Sequence, residues 1–125
     1  MPKTSKSTAP ETVDLPIVED RRAHLDGYVV NFATIRQTHD LAPLLKGLPD
    51  DNCQCPHWGY VFKGRITVRY GDHEEVIEAG EAFYLPPGHI PAAEEGTELL
   101  QFSPAEELRA LEQAMARNMA APHDS

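Results

Sequence analysis

The stretch that decides the fold spans residues 50–88 and reads DDNCQCPHWGYVFKGRITVRYGDHEEVIEAGEAFYLPPG. Residues 65–70 alternate polar and apolar side chains, which is typical of a half-buried strand. A Gly-Asp turn follows, and residues 75–78 return as the second arm of a hairpin. Residues 82–85 are a further short strand, which ends at a Pro-Pro-Gly run because proline cannot donate to a strand ladder. Short strands separated by glycine and proline indicate a sandwich or a barrel rather than alternating strands and helices.

On either side of this stretch the sequence predicts two more strands and a helix. Residues 28–35 and 97–102 have the β-branched, aromatic and leucine content of strands, and residues 40–47 suit one short helical turn. Ser103 has the residue type of an N-cap, with proline at the first helical position, so we expect a helix over about residues 104–119. Its thin apolar stripe consists of Leu108, Leu111, Met115 and Met119.

The start of the chain has a different composition. Residues 1–16 are rich in Thr, Ser, Pro and Lys and have almost no apolar periodicity, so we expect them to form a disordered tail. A chain of 125 residues is close to the usual size of one domain. Residues 17–125 are therefore interpreted as a single domain that includes the C-terminal helix.

Composition and charge exclude several classes of partner. The chain has 20 acidic and 11 basic residues, a formal net charge of -9, whereas nucleic acids and anionic membranes are bound largely by Lys and Arg. No segment approaches the roughly 20 apolar residues of a membrane span. We therefore expect neither nucleic acid nor a membrane as partner. The first residues have no apolar run behind their lysines, which predicts a cytoplasmic protein.

Both cysteines lie close to a histidine, at Cys53, Cys55 and His57. If this run is extended, the three side chains share one face. The other face then holds Trp58, Tyr60 and Phe62, which would pack against the second sheet or a dimer partner. A disulfide between residues two apart on a strand is at the outer limit of bridge geometry, so the thiols are interpreted as free, as metal ligands or as a redox pair. Two alternatives stay open: buried thiols that act as small apolar side chains, and His57 as a hydrogen-bonded core histidine.

The end of this stretch resembles the second motif of the cupin superfamily, a group of small β-barrels with two motifs on neighbouring hairpins. That motif runs G-x5-P-x-G-x2-H-x3-N, and Gly80, Pro86 and Gly88 occupy its first three fixed positions. The positions of its histidine and asparagine hold Pro91 and Glu95 instead.

The first cupin motif, H-x-H-x3 or x4-E-x6-G, is matched at its end by Gly64. His57 then stands at the glutamate position, and Cys53 falls near the second histidine position. Asp50 or Asp51 stands at the first histidine position. The three-histidine-plus-glutamate site of many cupin enzymes therefore does not carry over to this chain.

The resemblance covers residues 28–102 and implies an all-β fold, a small cupin-type jelly-roll β-barrel. It also places the loop of His89 against the first-motif strand, so that His89 joins Cys53, Cys55 and His57 as a metal donor. Thiolate and imidazole ligands favour a divalent transition metal, zinc before copper. Four engaged donors would make a closed, structural site, whereas three leave a position for water or substrate.

Three functions stay open at this point. The first is a metal-binding small cupin that binds or transforms a small molecule in the barrel. The second is a non-catalytic ligand-binding or sensor module, and the third is a dimeric protein with a purely structural zinc. The sequence shows no carboxylate pair and no activated nucleophile, so it does not decide whether the protein is an enzyme. The open strand edges of such a barrel predict a homodimer.

Overall fold

The structure, a computed structural model, describes residues 3–120. The ends of the predicted tail and of the predicted domain, residues 1–2 and 121–125, lie outside the described residues. The elements in chain order are β1 (Glu11–Asp14), β2 (Val18–Leu25), β3 (Tyr28–Ile35), β4 (His39–Asp40), β5 (His57–Lys63), β6 (Arg65–Arg69), β7 (Glu74–Glu78), β8 (Ala82–Leu85), β9 (Ile90–Ala93), β10 (Glu98–Pro104) and α1 (Ala105–Ala120). Two short 3₁₀ helices, Ala42–Leu45 and Pro49–Asp51, lie between β4 and β5.

The strands form two antiparallel sheets. The larger has the order β1-β2-β3-β10-β5-β8, and the smaller has the order β4-β9-β6-β7. Chain neighbours β5 and β6 belong to different sheets, so the chain crosses from one layer to the other at the tight bend between them. This arrangement confirms the predicted all-β fold with one C-terminal helix.

The main core lies between the two sheets. Its buried side chains come from both layers, which are Val61, Phe83, Leu85 and Leu99 on the larger sheet and Ile66, Val68 and Ile77 on the smaller one. Ile66 and Val68 are the inward half of the alternating pattern in β6, as predicted. Full burial of a side chain of this size contributes about 1.5–3 kcal/mol, so this layer is a main source of stability.

Gly64 makes the bend between the two sheets. Its φ of +79° lies in the left-handed region, and a Cβ atom there would lie 2.5 Å from Thr97 Oγ1. That hydroxyl is buried, accepts from the Arg65 backbone N–H at 3.2 Å and donates to the Arg65 carbonyl at 3.1 Å. Only glycine fits the position without moving Thr97, because both the backbone angle and the close approach exclude a side chain.

The N-terminal part of the fold differs from the prediction. Residues Glu11–Asp14, which we expected to belong to the tail, form β1 and pair with β2. Backbone hydrogen bonds and ion pairs hold this edge strand, including Arg36 to Asp14 and a hydrogen bond of 3.0 Å from Arg36 to the Leu15 carbonyl. Polar contacts of this kind leave no apolar periodicity in the sequence, which is why the strand was not predicted.

The junction of β10 and α1 also corrects a prediction. Ser103 is a buried residue of β10, and its hydroxyl bonds the His57 ring instead of capping the helix. The pairing of β10 with β3 continues to Pro104, so the helix begins one residue later than predicted, at Ala105. The helix then packs Leu108, Leu111 and Ala114 inward. Within residues 3–120 no helix is long and apolar enough to cross a membrane.

Candidate metal centre and ligand cavity

His57 begins β5, and its side chain points into the barrel, where it is buried. Cys53 lies in the segment before this strand and forms an isolated antiparallel bridge with His89. The Cys53 N–H donates to the His89 carbonyl at 2.9 Å, and the Gly88 N–H donates to the Cys53 carbonyl at 2.8 Å. The loop that follows the Pro-Pro-Gly run is therefore fixed against the cysteine segment by backbone hydrogen bonds.

This pairing brings three of the four predicted donors together. Cys53, His57 and His89 each offer one ligand atom, and these atoms lie within 4.8 Å of one another. Cys53 Sγ lies 3.6 Å from His57 Nε2, and the two imidazole centroids are 5.2 Å apart at an interplanar angle of 64°. All three side chains are at least nine-tenths buried.

Cys55 lies on the other side of the His57 ring. Its Sγ is 3.9 Å from His57 Nδ1, the nitrogen that bonds the Ser103 hydroxyl at 2.7 Å. It also packs into the apolar cluster that includes Leu108 and Leu111. Both thiols are free and buried, but they flank opposite nitrogens of one imidazole, so the structure does not place Cys55 in the donor cluster.

The hydrogen bonds of His89 define which of its nitrogens is available. Nδ1 lies 2.6 Å from the Pro86 carbonyl, which only accepts, so Nδ1 carries the proton and donates it. Nε2 therefore keeps its lone pair, and it is buried without a hydrogen-bond partner among the described residues. A histidine that donates one N–H to a carbonyl and keeps the lone pair of its other nitrogen free has the arrangement that metal ligands adopt.

Burial decides the protonation state of the cluster. It raises the pKa of the Cys53 thiol to about 11 and that of Cys55 to about 12. Burial, with the neighbouring His89, lowers the pKa of His57 to about 3, and burial also lowers the pKa of His89. At neutral pH the cluster therefore contains neutral imidazoles, the form that binds metal, and a thiol that gives up its proton when a cation binds.

The distance between the ligand atoms of Cys53 and His57 fits a zinc ion bound by both. Bond lengths of about 2.3 Å to sulfur and about 2.0–2.1 Å to nitrogen in a tetrahedral site put the two ligand atoms about 3.6 Å apart. Cys53 Sγ and His57 Nε2 lie at 3.6 Å. The other donor distances, up to 4.8 Å, require His89 to approach by a small movement. The residues present therefore fit a metal with sulfur and nitrogen ligands.

A cavity of about 240 Å³ lies inside the barrel beside this cluster, and Cys53 and His57 form part of its wall. Most of the wall is apolar, with contributions from both sheets, from α1 and from the first 3₁₀ helix. One region is polar and holds Asp20, Arg22, Asn31, Gln101 and Glu112. Ligand cavities commonly combine an apolar wall with a few fixed polar groups in this way.

Sequence reasoning did not find the polar region. Asp20 and Arg22 lie two apart on β2 and face inward, but half of the eight residues of β2 are charged. The regular spacing of Asp20 and Arg22 was the available signal, because side chains two apart share a face of a strand. This spacing was not recognised as a signal because inward positions of a strand are expected to be apolar.

Comparison with known proteins bears on the fold. The chain matches no protein-family model and no curated protein. It resembles the crystal structure of an RmlC-like cupin from Shewanella frigidimarina NCIMB 400, with 19% identity, a TM-score of 0.53 and coverage of 79% of this chain and 87% of that one. The chain has the cupin fold.

Two further solved structures have the same overall shape. A protein of unknown function from Rhizobium leguminosarum bv. viciae 3841 is 16% identical, with a TM-score of 0.59 and coverage of 82% of this chain and 94% of that one. HppE in its FeII form is 10% identical, with a TM-score of 0.57 and coverage of 82% of this chain and 60% of that one. At such identities the likeness concerns the fold, and function has to be argued from the site.

The cupin fold places the two matched motifs as the resemblance implied. Gly64 ends the first motif at the bend between the sheets, and Gly80 begins the second at the turn before β8. Pro91, at the histidine position of the second motif, lies in β9 and lines the cavity. His89, two residues earlier, pairs with Cys53 instead. The candidate metal cluster therefore differs in composition from the three-histidine-plus-glutamate set.

Proposed function

We propose that this cupin-fold protein binds a divalent transition metal through Cys53, His57 and His89 and takes a small molecule into the cavity beside it. The observation that carries the proposal is the buried, unpartnered Nε2 of His89 among the described residues, close to a second imidazole and a thiol. A buried acceptor without a partner costs about 1–3 kcal/mol, and a metal ion would remove that cost.

Zinc is the metal that this donor set favours. Sulfur and nitrogen ligands suit zinc, with copper next, and magnesium and calcium prefer oxygen ligands. Three protein donors leave one coordination position, and the cavity adjoins Cys53 and His57, so that position is available to water or to a ligand. This arrangement favours binding or transformation of a small molecule over a closed, purely structural zinc. A reducing compartment such as the cytoplasm would keep both thiols free.

Metal analysis of the purified protein tests this proposal. Wild-type protein prepared under reducing conditions is expected to hold about one zinc per chain, and His57→Ala and His89→Ala are expected to hold none. His24→Ala is the matched control, because His24 is an exposed histidine of β2. Wild-type protein that neither carries stoichiometric metal nor gains thermal stability from added zinc would leave only a metal-free binding module.

We also propose that the outer face of the larger sheet binds a second copy of the chain. Tyr28, Trp58, Tyr60, Phe62, Tyr84 and Phe102, here called the aromatic face, are all exposed. Trp58 is opposite Phe102 and Tyr84 in the strand register, and its ring packs against that of Tyr84 with centroids 5.0 Å apart and planes tilted by 32°. Of the two sequence-based expectations, packing against the second sheet is therefore wrong for Trp58.

The size of the aromatic face supports a dimer. Aromatic side chains have areas of about 150–250 Å², so six of them at roughly two-fifths to one-half exposure present on the order of 500 Å². This is at the upper end of the apolar patches found on monomers and more than half of the roughly 800 Å² per partner in a standard interface. Contacts between rings, both across strands and within β5, already order several of these side chains, which reduces the entropy lost when they dock.

Light scattering at micromolar concentration tests the dimer. Wild-type protein is expected to have twice the chain mass, and Trp58→Asp is expected to be a monomer because it buries a charge at the centre of the interface. Val76→Asp is the control, because Val76 is an exposed apolar residue on the smaller sheet. A monomeric wild type, or a dimer that tolerates Trp58→Asp, would contradict the proposal.

A further inference from the structure

The polar region of the cavity contains two buried acceptors without partners. Asn31 Nδ2 donates to Asp20 Oδ2 at 2.8 Å, and this hydrogen bond does not involve Asn31 Oδ1 or Asp20 Oδ1. Neither atom has a hydrogen-bond partner within residues 3–120. Asp20 is 8% exposed and Asn31 is 5% exposed, so solvent does not replace the missing partners. Both residues line the cavity.

Buried acceptors without a hydrogen-bond partner are rare in native proteins and are commonly found where function requires them. Both free atoms are oxygens that accept hydrogen bonds. The group that satisfies them must therefore supply two or more N–H or O–H donors to neighbouring positions. A carboxylate, a phosphate or a carbonyl would add a further acceptor and leave both oxygens unsatisfied.

The charge of the surrounding side chains decides which kind of hydrogen-bond donor the ligand carries. The Arg22 guanidinium bonds Asp20 and also bonds Glu112 of α1 at 3.0 and 2.6 Å. One cation between two carboxylates leaves the cluster with a net charge of one negative unit when both are ionised. Burial raises the pKa of Asp20 because it keeps water away from the carboxylate. A positive ligand group would stabilise the ionised carboxylate in place of that water. A protonated amine has both the charge and the number of donors that this cluster requires.

The position of the pair relative to the metal cluster follows from the strand register. Asn31 is opposite Gln101, Gln101 is opposite Gly59, and His57 is two residues further along β5 on the same inner face. Strand spacing of about 4.8 Å and a rise of about 3.4 Å per residue put the Asn31 and His57 backbones roughly 12 Å apart. The cavity wall around them is mostly apolar, with Ala33 and Leu99 facing inward.

We propose that Asp20 and Asn31 anchor the ammonium group of a small, largely apolar amine, whose other end extends toward Cys53, His57 and His89. The inference deepens the proposed function, on which it rests for the placement of the ligand inside the barrel. Arg22 positions Asp20 by bonding its carboxylate, and Glu112 holds the Arg22 guanidinium in turn. A ligand with a carboxylate at the same end is rejected by the two free oxygens.

Titration calorimetry with n-pentylamine, 1-pentanol and pentanoate tests the anchor, because these probes share one chain and differ in the end group. Wild-type protein is expected to bind the amine at least about 10-fold more tightly than the alcohol, since hydrogen bonds to charged groups contribute about 1.5–3 kcal/mol. Pentanoate is expected to bind more weakly than either. Equal affinities for the amine and the alcohol, or no binding of the amine up to about 10 mM, would overturn the inference.

Asp20→Asn keeps the shape of the side chain and removes its charge. It is expected to weaken binding of n-pentylamine about 10-fold or more and to change binding of 1-pentanol by less than about 3-fold. Glu19→Gln is the matched control, because it removes a carboxylate from the neighbouring position of β2, which points to the opposite side of the sheet. An Asp20→Asn variant that binds the amine as tightly as wild type refutes the anchor.

The same titrations in zinc and in EDTA separate this inference from the proposed metal site. Amine selectivity that persists in wild-type protein without bound metal supports the anchor even if the metal proposal fails. Stoichiometric zinc without amine selectivity supports the metal site and overturns the anchor. Zinc content of Asp20→Asn is expected to equal that of wild type, because Asp20 is not in the donor cluster.

Discussion

Replacing His89 with Leu distinguishes a metal ligand from a core histidine, because the two roles predict different effects of zinc on the stability of the variant. Leu is apolar and of similar size, so it fills the space and offers no ligand atom. The substitution removes the unpartnered Nε2 and also the hydrogen bond of 2.6 Å from Nδ1 to the Pro86 carbonyl. The two losses act in opposite directions on the free energy of unfolding.

Without metal the net effect is expected to be small. Loss of the unsatisfied acceptor stabilises the protein by about 1–3 kcal/mol, and loss of the bond to Pro86 destabilises it by about 0.5–1.5 kcal/mol plus the cost of the unpaired carbonyl. The difference is about 1 kcal/mol in either direction. For a domain of this size that corresponds to a change in Tm of about 4 °C.

In the presence of zinc, His89→Leu is expected to be much less stable than wild-type protein. A ligand present at 100 times its Kd stabilises the folded state by about 2.7 kcal/mol. At about 4 °C per kcal/mol, zinc at that level raises the Tm of wild-type protein by about 10 °C. His89→Leu keeps two of the three clustered donors, so zinc is expected to raise its Tm by less than about 3 °C.

The assay is thermal unfolding followed by circular dichroism, in zinc buffered at fixed free concentrations and in EDTA. The quantity compared is the difference in Tm between the two conditions for each variant. If the Tm of His89→Leu differs from that of wild-type protein by the same amount in EDTA as in zinc, then His89 is a hydrogen-bonded core histidine and the metal reasoning fails.

Three further results are expected. Cys53→Ser should abolish zinc binding and Cys55→Ser should retain it, as measured by elemental analysis, because only the first thiol lies in the donor cluster; equal losses would place both thiols on the metal. Gly64→Ala should lower the free energy of unfolding in urea by about 2 kcal/mol or more through its positive φ and close contact, and an unchanged midpoint would contradict this. The hydrogen bond from Arg69 lowers the pKa of Asp40, so this pair stabilises the folded state above pH 4 and the effect is lost as the pH falls through the lowered pKa. Asp40→Asn should therefore cost about 0.5 kcal/mol at pH 7 and nothing near pH 2, whereas a constant difference between the two pH values would exclude the ion pair as its cause.

Much of the fold could be predicted because local residue types impose it. The alternating residues of β6 place Ile66 and Val68 inward whatever their partners are, since successive side chains of a strand point to opposite faces. Gly64 marks the bend between the sheets because its backbone conformation and its contact with Thr97 both require the absence of a side chain. Candidate metal donors were also predicted before the fold was known, at Cys53, Cys55 and His57 from their residue types and at His89 from the cupin resemblance.

The tertiary structure decided which of these donors meet. Sequence alternation put Cys53 and Cys55 on one face with His57, but the two thiols contact opposite nitrogens of that ring. The choice between them depends on the backbone bridge from Cys53 to His89, which joins segments far apart in the chain. Spacing along one segment contains no information about that contact.

The polar region of the cavity depended on the tertiary structure to a still greater degree. Arg22 is paired with Glu112, which lies 90 positions away in the sequence, and Asp20 is paired with Asn31 on the next strand. Periodicity identifies inward positions only when they are apolar, because it detects the burial of apolar surface. Buried polar residues that pair across distant elements look like surface residues in the sequence, and only the folded barrel shows that they face its interior.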